Sequence, residues 1–307
     1  MKSIIAYLVT IIFVFGFPLL AGGAEVASPG ATPATGNSGC GKALATDLGV
    51  SKTTRRTVSS GGLERSYLLH VPANYDIASA APVVLNFHGV MTAPETQHAV
   101  SGLEPISDRE GFILVSPDNN GDWNFPSPLP DIAFVREVIA NVSADLCVDA
   151  RRIFATGFSR GAFMSTWLGC GAPDLVAAIA PVSGMDEPPA GCGPLPIMEF
   201  HGRLDNINPF LGGTSITGRK FTGAIPAMKS WARANGCSDA PEVEQVSPHV
   251  QRVSYQGCKA ATIQFIIDDA AHQWPGATMN MDGDGTTPAN LPASELIWAF
   301  FKAHPKQ

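Results

Sequence analysis

The chain has no run of basic residues, and its 20 Lys and Arg against 27 Asp and Glu leave a formal net charge of -7. A nucleic acid or an anionic membrane surface calls for a positive patch, so neither is expected as a partner. No two cysteines stand at C-x-x-C spacing, so a zinc site is not expected, and no other metal or cofactor is called for. Asp282-Gly283-Asp284-Gly285 matches a fragment of a calcium loop, lacks the rest of it and reads as a turn. Past the first 20 residues no apolar stretch nears the ~18 residues that span a bilayer. No internal repeat is visible.

What is present begins with Met1-Lys2-Ser3, an apolar run from Ile4 to Leu20 and the small residues Ala21-Gly22-Gly23-Ala24. This pattern predicts a secretory signal, residues 1–24, cut after Ala24. An uncleaved anchor is the alternative, and Gly16 and Pro18 argue for cleavage. The mature protein is then expected to be extracellular or periplasmic, with no stable membrane partner. Residues 25–38 are mostly Ala, Pro, Gly, Ser and Thr, without periodicity, and read as a flexible linker. Residues 39–307 suit one domain, and a hydrophobic share of 45% supplies its core.

Six cysteines behind a secretory signal argue for three disulfides. Cys237 and Cys258 bracket one helix-to-strand connection and are expected to pair. The other four allow three pairings. Cys147 with Cys170 is favoured, because one precedes the strand before Ser159 and the other lies about three helical turns beyond it. Cys40 would then pair with Cys192.

Strands are expected at Glu64 to Val71, where Tyr67, Leu69 and Val71 alternate with the rest, and at Pro82 to Phe87, a continuous apolar run. Such runs fit strands buried on both faces of a parallel sheet. Phe112 to Val115, Leu175 to Val182, Pro196 to Phe200 and Ala261 to Ile267 repeat the signal. Ile132, Val135, Ile139 and Val142 mark a helix from Asp131 to Leu146, with further helices over Ile225 to Ala234 and Ala293 to Ala303. Strands alternating with helices predict an α/β fold with a mostly parallel central sheet flanked by helices.

Arg151 to Leu168 reads as strand, sharp turn and helix, with Ser159 at the apex of Gly157-Phe158-Ser159-Arg160-Gly161. The pentapeptide alone is weak. In this context the glycines supply the small neighbours a strained turn needs, and Ser159 falls at a helix N-terminus that favours developing negative charge. The competing reading is a serine that merely caps a helix. A serine hydroxyl needs a base, and the base an orienting acid. In an open parallel sheet such groups gather beyond the C-terminal strand ends. Asp205 follows the strand ending at Phe200, and His272 the strand ending at Ile267. The order Ser, Asp, His is that of α/β-hydrolases. His201 is a rival base, expected instead to support its loop by hydrogen bonds. Asp268 and Asp269 are rival acids, placed awkwardly close to His272 in sequence. His70, His98, His249 and His304 are expected to be surface or structural. For the oxyanion, the backbone N–H groups of Arg160, after the serine, and of Val90, in the loop His88-Gly89-Val90-Met91, are the candidate donors.

Tyr67 to Tyr75 (YLLHVPANY), Phe87-His88-Gly89, the GFSRG centre of Leu146 to Ser165, His201 to Asp205 and HQWPG at His272 to Gly276 together resemble the secreted feruloyl esterase and polyhydroxybutyrate depolymerase group of α/β-hydrolases. The resemblance spans nearly the whole domain. It implies an α/β-hydrolase fold, a catalytic set of Ser159, Asp205 and His272, and a cofactor-independent serine carboxylesterase. Leu146-Cys147-Val148-Asp149 and Cys170 resemble feruloyl esterases in particular. Arg160 and Ala162 depart from the group's usual residues, which bears on acyl preference.

The expected substrate is a hydroxycinnamoyl (feruloyl) ester of plant cell-wall polysaccharide or oligosaccharide. A polyhydroxybutyrate oligomer, a peptide, or binding by a catalytically dead fold are the alternatives. Aromatic platforms suit a phenolic group or a sugar ring. Trp123, Phe125, Phe210 and Trp274 are the candidates near the mouth, with Trp274, followed by Pro275, leaning to a structural role. Asn141-Val142-Ser143 is a glycosylation sequon of consequence only in a eukaryotic host.

Overall fold

The computed structural model describes residues 39–124, 127–214, 218–238, 240–277, 279 and 291–307. The expected signal and linker, Phe125 and the Asp282–Gly285 turn lie outside these residues. In chain order the elements are β1 (Lys52–Ser60), β2 (Leu63–Val71), β3 (Ala81–Phe87), α1 (Pro94–Ser101), α2 (Leu103–Glu110), β4 (Ile113–Pro117), α3 (Leu129–Asp145), β5 (Val148–Phe158), α4 (Arg160–Gly171), β6 (Ala178–Val182), β7 (Ile197–Gly202), β8 (Gly213–Thr214), β9 (Lys220–Phe221), α5 (Ala224–Ala234), β10 (Glu242–Ser247), β11 (Val250–Ser254), β12 (Thr262–Ile267) and α6 (Ala293–Ala303).

Ten of the described strands form one sheet in the order β1-β2-β4-β3-β5-β6-β7-β12-β11-β10. The six from β4 to β12 run parallel, and an antiparallel pair extends each edge. The loops after β3, β4, β5, β6, β7 and β12 therefore all emerge at one end of the sheet.

Helices cover both faces, which is why the inner strands carry apolar residues on both sides. Along β3, Val83, Leu85 and Phe87 pack with Phe134 and Val138 of α3, Met164 and Leu168 of α4, and Met228 and Trp231 of α5. Val84 turns to the other face, among Leu103 and Ile106 of α2 and Ile297 and Phe301 of α6. Each fully buried side chain of this kind contributes about 1.5–3 kcal/mol.

The expected helix at Ala293–Ala303 coincides with α6, and the strand boundaries at β2, β3, β7 and β12 differ by one or two residues. α3 starts at Leu129 because Pro130 fits a first helical turn, where no backbone N–H is needed. Strand β6 starts at Ala178, three residues later than expected. Sequence reading missed β1, β10, β11, α1 and α2. The β1–β2 hairpin did carry a signal: Ser60 pairs with Leu63 across Gly61-Gly62, both at positive φ (57° and 80°), as a two-residue hairpin turn requires.

The disulfides correct two of the three expected pairings. Cys237–Cys258 forms as expected, but the others are Cys40–Cys147 and Cys170–Cys192. α4 returns from Ser159 to the foot of the sheet, as reasoned, yet it packs over β6 as well as β5. That lean carries Cys170 to the β6–β7 connection, where Cys192 lies. Cys147 is met instead by the start of the domain, where the Gly39 N–H donates to the Ser143 carbonyl (2.8 Å).

Candidate active site

Ser159 joins β5 to α4 with φ 56° and ψ -116°. A non-glycine residue held there carries about 1–3 kcal/mol of backbone strain, so its surroundings must impose the shape. Two glycines allow them to. A Cβ on Gly157 would lie 2.5 Å from the Gly161 carbonyl oxygen, and one on Gly161 would lie 2.1 Å from that of Phe87. The Ser159 N–H donates to the Val182 carbonyl (2.9 Å), and its own carbonyl accepts from Ala162 (3.0 Å). The side chain thus stands at the start of α4, where first-turn N–H groups have no carbonyl within the helix and the dipole favours negative charge.

Asp205 and His272 come from the loops after β7 and β12. Those loops interlock: a Cβ on Gly202 would lie 2.2 Å from the Ala270 carbonyl oxygen, and the Leu204 N–H donates to that carbonyl (3.0 Å). Asp205 Oδ1 accepts from the N–H groups of Ile207 (2.9 Å) and Asn208 (2.8 Å). Its Oδ2 lies 2.8 Å from His272 Nδ1. Burial pushes the Asp205 pKa up, but the hydrogen bonds from His201 and His272 win and hold it well below the usual carboxylate range. An ionised Asp205 accepts from His272 Nδ1–H, which leaves Nε2 as the ring nitrogen facing away from it.

The His272 ring lies against Phe158, centroids 4.8 Å apart, next to Ser159. Among the described residues no hydrogen bond joins the Ser159 hydroxyl to His272. Their loops are tied through β6: the Ser183 hydroxyl donates to the Gln273 carbonyl (3.0 Å), and Asn208 Nδ2 donates to the Ser183 carbonyl (2.7 Å). A Cβ on Gly184 would lie 2.8 Å from the Ser159 carbonyl oxygen.

The loop after β3 approaches from the other side, so that a Cβ on Gly89 would sit 3.6 Å from that of Ser159. Val90 follows directly. His88 is buried, and burial lowers its pKa below the ordinary imidazole value. As a neutral ring it donates from Nδ1 to the Gly89 carbonyl (2.8 Å) and accepts the Asn119 N–H at Nε2 (3.3 Å). Trp123 Nε1 donates to the His88 carbonyl (2.8 Å), and the Met91 N–H to that of Gly121 (2.6 Å). The loop over 118–124 is thus the brace of the Gly89–Val90 segment. Beneath it Asp131, fully buried, accepts from Arg65 (2.9 Å) and from the Asn124 backbone (2.7 Å). The Arg160 side chain reaches the same loop at Asp122 (2.9 Å). The bonds from Trp123 to His88, from Met91 to Gly121 and from Arg65 to Asp131 had no sequence signal, because each joins residues 30 or more apart along the chain.

The expected substrate contacts Trp123 and Phe210 are corrected, and Trp274, which leans to a structural role, is buried with them. Trp123, Phe210 and Trp274 are each 1% exposed. Trp123 packs edge-on to Phe87 (5.2 Å), and Phe210 is covered by His201 (5.8 Å) and the Arg203 guanidinium (5.0 Å). Trp274 Nε1 donates to Ser294 Oγ of α6 (2.9 Å). They build the floor of the loops and present no open face. The exposed apolar side chains in the loops after β3 and β7 are Met91, Leu204 and Leu211, which sequence reading passed over.

The rival groups are engaged elsewhere. Asp268 pairs with Arg203 (2.7 Å), and Asp269 lies 3.9 Å from His249. His201 has Glu199 Oε1 at Nδ1 (2.8 Å) and the Asn208 carbonyl at Nε2 (2.9 Å), so no lone pair is offered to a substrate. A second Ser–His–acid chain exists at Ser116, His98 and Glu104, with steps of 2.7 and 2.8 Å. Ser116 is fully buried within β4, so this chain is a packing device. No group of three or more His, Cys, Asp or Glu among the described residues is arranged to hold a metal ion.

No family model matches the chain. It is 31% identical to feruloyl esterase B of Piromyces equi over 216 residues, 64% of this chain but 40% of that protein, so it spans well under half of that relative. It is 29% identical over 286 residues to probable feruloyl esterase C of Aspergillus clavatus, covering 90% of this chain and 94% of the other. Feruloyl esterase D of Neurospora crassa is 27% identical over 292 residues, with 90% and 93% covered. Among solved structures, an acetyl xylan esterase from Aspergillus awamori superposes with a TM-score of 0.60 at 16% identity, over 81% of this chain and 99% of that one. At that identity the likeness is one of fold.

Proposed function

We propose that the chain is a carboxylic-ester hydrolase similar to the feruloyl esterases, that Ser159, His272 and Asp205 are its catalytic triad and that its substrates are hydroxycinnamoyl esters of plant cell-wall polysaccharide. The likeness to named feruloyl esterases and the α/β-hydrolase fold support this reading. The Ser159 hydroxyl attacks the ester carbonyl while His272 Nε2 takes its proton. The N–H groups of Arg160 and Val90 receive the oxyanion. As the tetrahedral intermediate collapses, the imidazolium of His272 returns the proton to the departing sugar hydroxyl and an acyl-enzyme remains. Water, deprotonated by the same nitrogen, then releases the hydroxycinnamate and restores the serine. Asp205 holds the Nδ1 tautomer and stabilises the imidazolium throughout. The chemistry uses no cofactor.

The observation that carries the reading is the buried Asp205–His272 pair, 2.8 Å apart, set in interlocked loops with a serine on a strained turn. The substrate class rests on the names of the relatives. Secretion rests on the amino-terminal sequence pattern, and three disulfides accord with an oxidising compartment. The described residues contain no helix long and apolar enough to cross a membrane.

The test is product release from methyl ferulate, feruloylated arabinoxylan and 3-hydroxybutyrate oligomers, with Ser159→Ala as the blank. Ferulate release should fall by as much as about 10⁶-fold in the variant. Unchanged hydrolysis in Ser159→Ala would overturn the triad. Activity on the hydroxybutyrate oligomers alone would keep the mechanism and overturn the substrate.

A further inference from the structure

We propose that His201 is a positioning residue of the site: a buried imidazolium that shares the Oδ2 oxygen of Asp205 with His272, and so sets both the place of that carboxylate and the strength of its pull on the base. The proposal rests on the triad reading above.

The geometry leaves His201 little choice of protonation state. A neutral imidazole has one N–H and one lone pair. Here both nitrogens face acceptors: Nδ1 meets Glu199 Oε1 at 2.8 Å, while Nε2 meets the Asn208 carbonyl at 2.9 Å and Asp205 Oδ2 at 3.3 Å. The other oxygen of Glu199 already accepts from the Gln264 amide (3.0 Å), as a carboxylate would. His201, Glu199 and Asp205 are at most 4% exposed. Two carboxylates buried beside one ring are costly unless the ring is cationic.

The groups facing His201 have opposite charge or none. Glu199 lies on its own strand and Asp205 in the loop that follows. From β12 comes the neutral Gln264 against Glu199, and the Phe210 ring closes the far side. Burial alone would lower the His201 pKa, but the hydrogen bonds to Asp205 and Glu199 and their charges outweigh it and raise it to about 10.

Two effects on the base follow. The His201 Nε2–H to the Asn208 carbonyl closes the turn in which Asp205 Oδ1 receives the Ile207 and Asn208 N–H groups, so the carboxylate cannot swing away. And because Asp205 Oδ2 answers two rings, part of its charge is neutralised before it acts on His272. The pull of Asp205 on the Nδ1 proton of His272 is therefore weaker than an unshared carboxylate would exert, and it strengthens when the charge of His201 is removed.

The test combines a spectrum and a rate profile. In long-range ¹H–¹⁵N spectra of the whole protein, one imidazolium should keep both protons from pH 5 to 9 and be missing in His201→Gln. In Glu199→Gln, a variant of the same shape, that imidazolium should begin to lose its proton within the range. In His201→Gln the acid limb of kcat/KM against pH, measured on methyl ferulate, should move up by roughly one unit, with kcat reduced more than KM is raised. A neutral His201 ring in the wild type at pH 7, a Glu199→Gln spectrum identical to the wild type, or a His201→Gln profile superimposable on it would each overturn the proposal. The spectra need no substrate, so they stand apart from any failure of the hydrolase reading.

Discussion

Around Ser159 the difference between a required glycine and a convenient one is a matter of tenths of a nanometre. Gly161 has the Phe87 carbonyl oxygen 2.1 Å from where a Cβ would be, a backbone atom that cannot yield without moving β3. Gly89 would place a Cβ no nearer than 3.6 Å to any neighbour, ordinary contact. Gly161→Ala should therefore lose about 3 kcal/mol or more of stability, and Gly89→Ala well under 1 kcal/mol, by denaturant unfolding of both variants. The same scale shows what the sequence could convey. The placement of Ser159, Asp205 and His272 beyond strand ends was legible because each follows a strand whose apolar run marks its end. Trp123 and Phe210 were misread because an aromatic residue past a strand has the same spelling whether it lies on the loop or under it, and only contacts such as that of Trp123 Nε1 decide.

Among the elements, the loop between β4 and α3 acts on the site without entering it. It grips the His88 carbonyl through Trp123 and the Met91 N–H through Gly121, and it is held in turn by Asp131 in the first turn of α3. Trp123→Phe keeps most of the packing and removes the indole N–H. Its stability should fall by about 1 kcal/mol, while kcat on methyl ferulate drops about tenfold or more through a misplaced Val90 donor. A loss in KM with kcat intact would contradict this brace. The parallel strands were legible because burial on both faces leaves continuous apolar runs. β1, β10 and β11 were not, because antiparallel strands at the sheet edge expose polar side chains: β1 reads KTTRRTVSS and β10 EVEQVS. Their pairing depends on the neighbouring strand and the turn, here Gly61-Gly62, more than on their own hydrophobicity.

For the molecule as a whole, the long disulfide and two clusters of histidine and carboxylate, one of them buried, contribute to stability. Cys40–Cys147 closes a loop of 107 residues, for which chain entropy gives about 4–5 kcal/mol, against about 3 kcal/mol for each short bridge. The double replacement of Cys40 and Cys147 by Ser should lower the thermal midpoint more than the equivalent change at Cys237 and Cys258. The pH dependence has two flanks. Hydrogen bonding from His98 leads in lowering the Glu104 pKa to about 2. Its contribution is full above the ordinary carboxylate value and vanishes as pH falls through about 2. His201 has its pKa raised, so its contribution is full below about 6.5 and is lost as pH rises to about 10. Unfolding free energy should decline on both flanks; His201→Gln should flatten the alkaline one and, because Asp205 loses a hydrogen bond that lowers its pKa, weaken the acid one as well. Pairing of the cysteines was the part of the global arrangement least legible in sequence, since it depends on which neighbouring strand α4 leans over.

Gly39 meets the chain just before β5, and near the other end the Lys306 N–H donates to the Arg151 carbonyl within β5 (2.8 Å). Both ends of the described domain therefore leave from the foot of the strand whose tip carries Ser159, eight residues and about 25 Å away. A bead or carrier attached through either end would leave the loops around Ser159 facing outward. Turnover on insoluble fibre should then survive immobilisation by the termini and suffer when attachment runs through cysteines introduced at Met91 or Leu204.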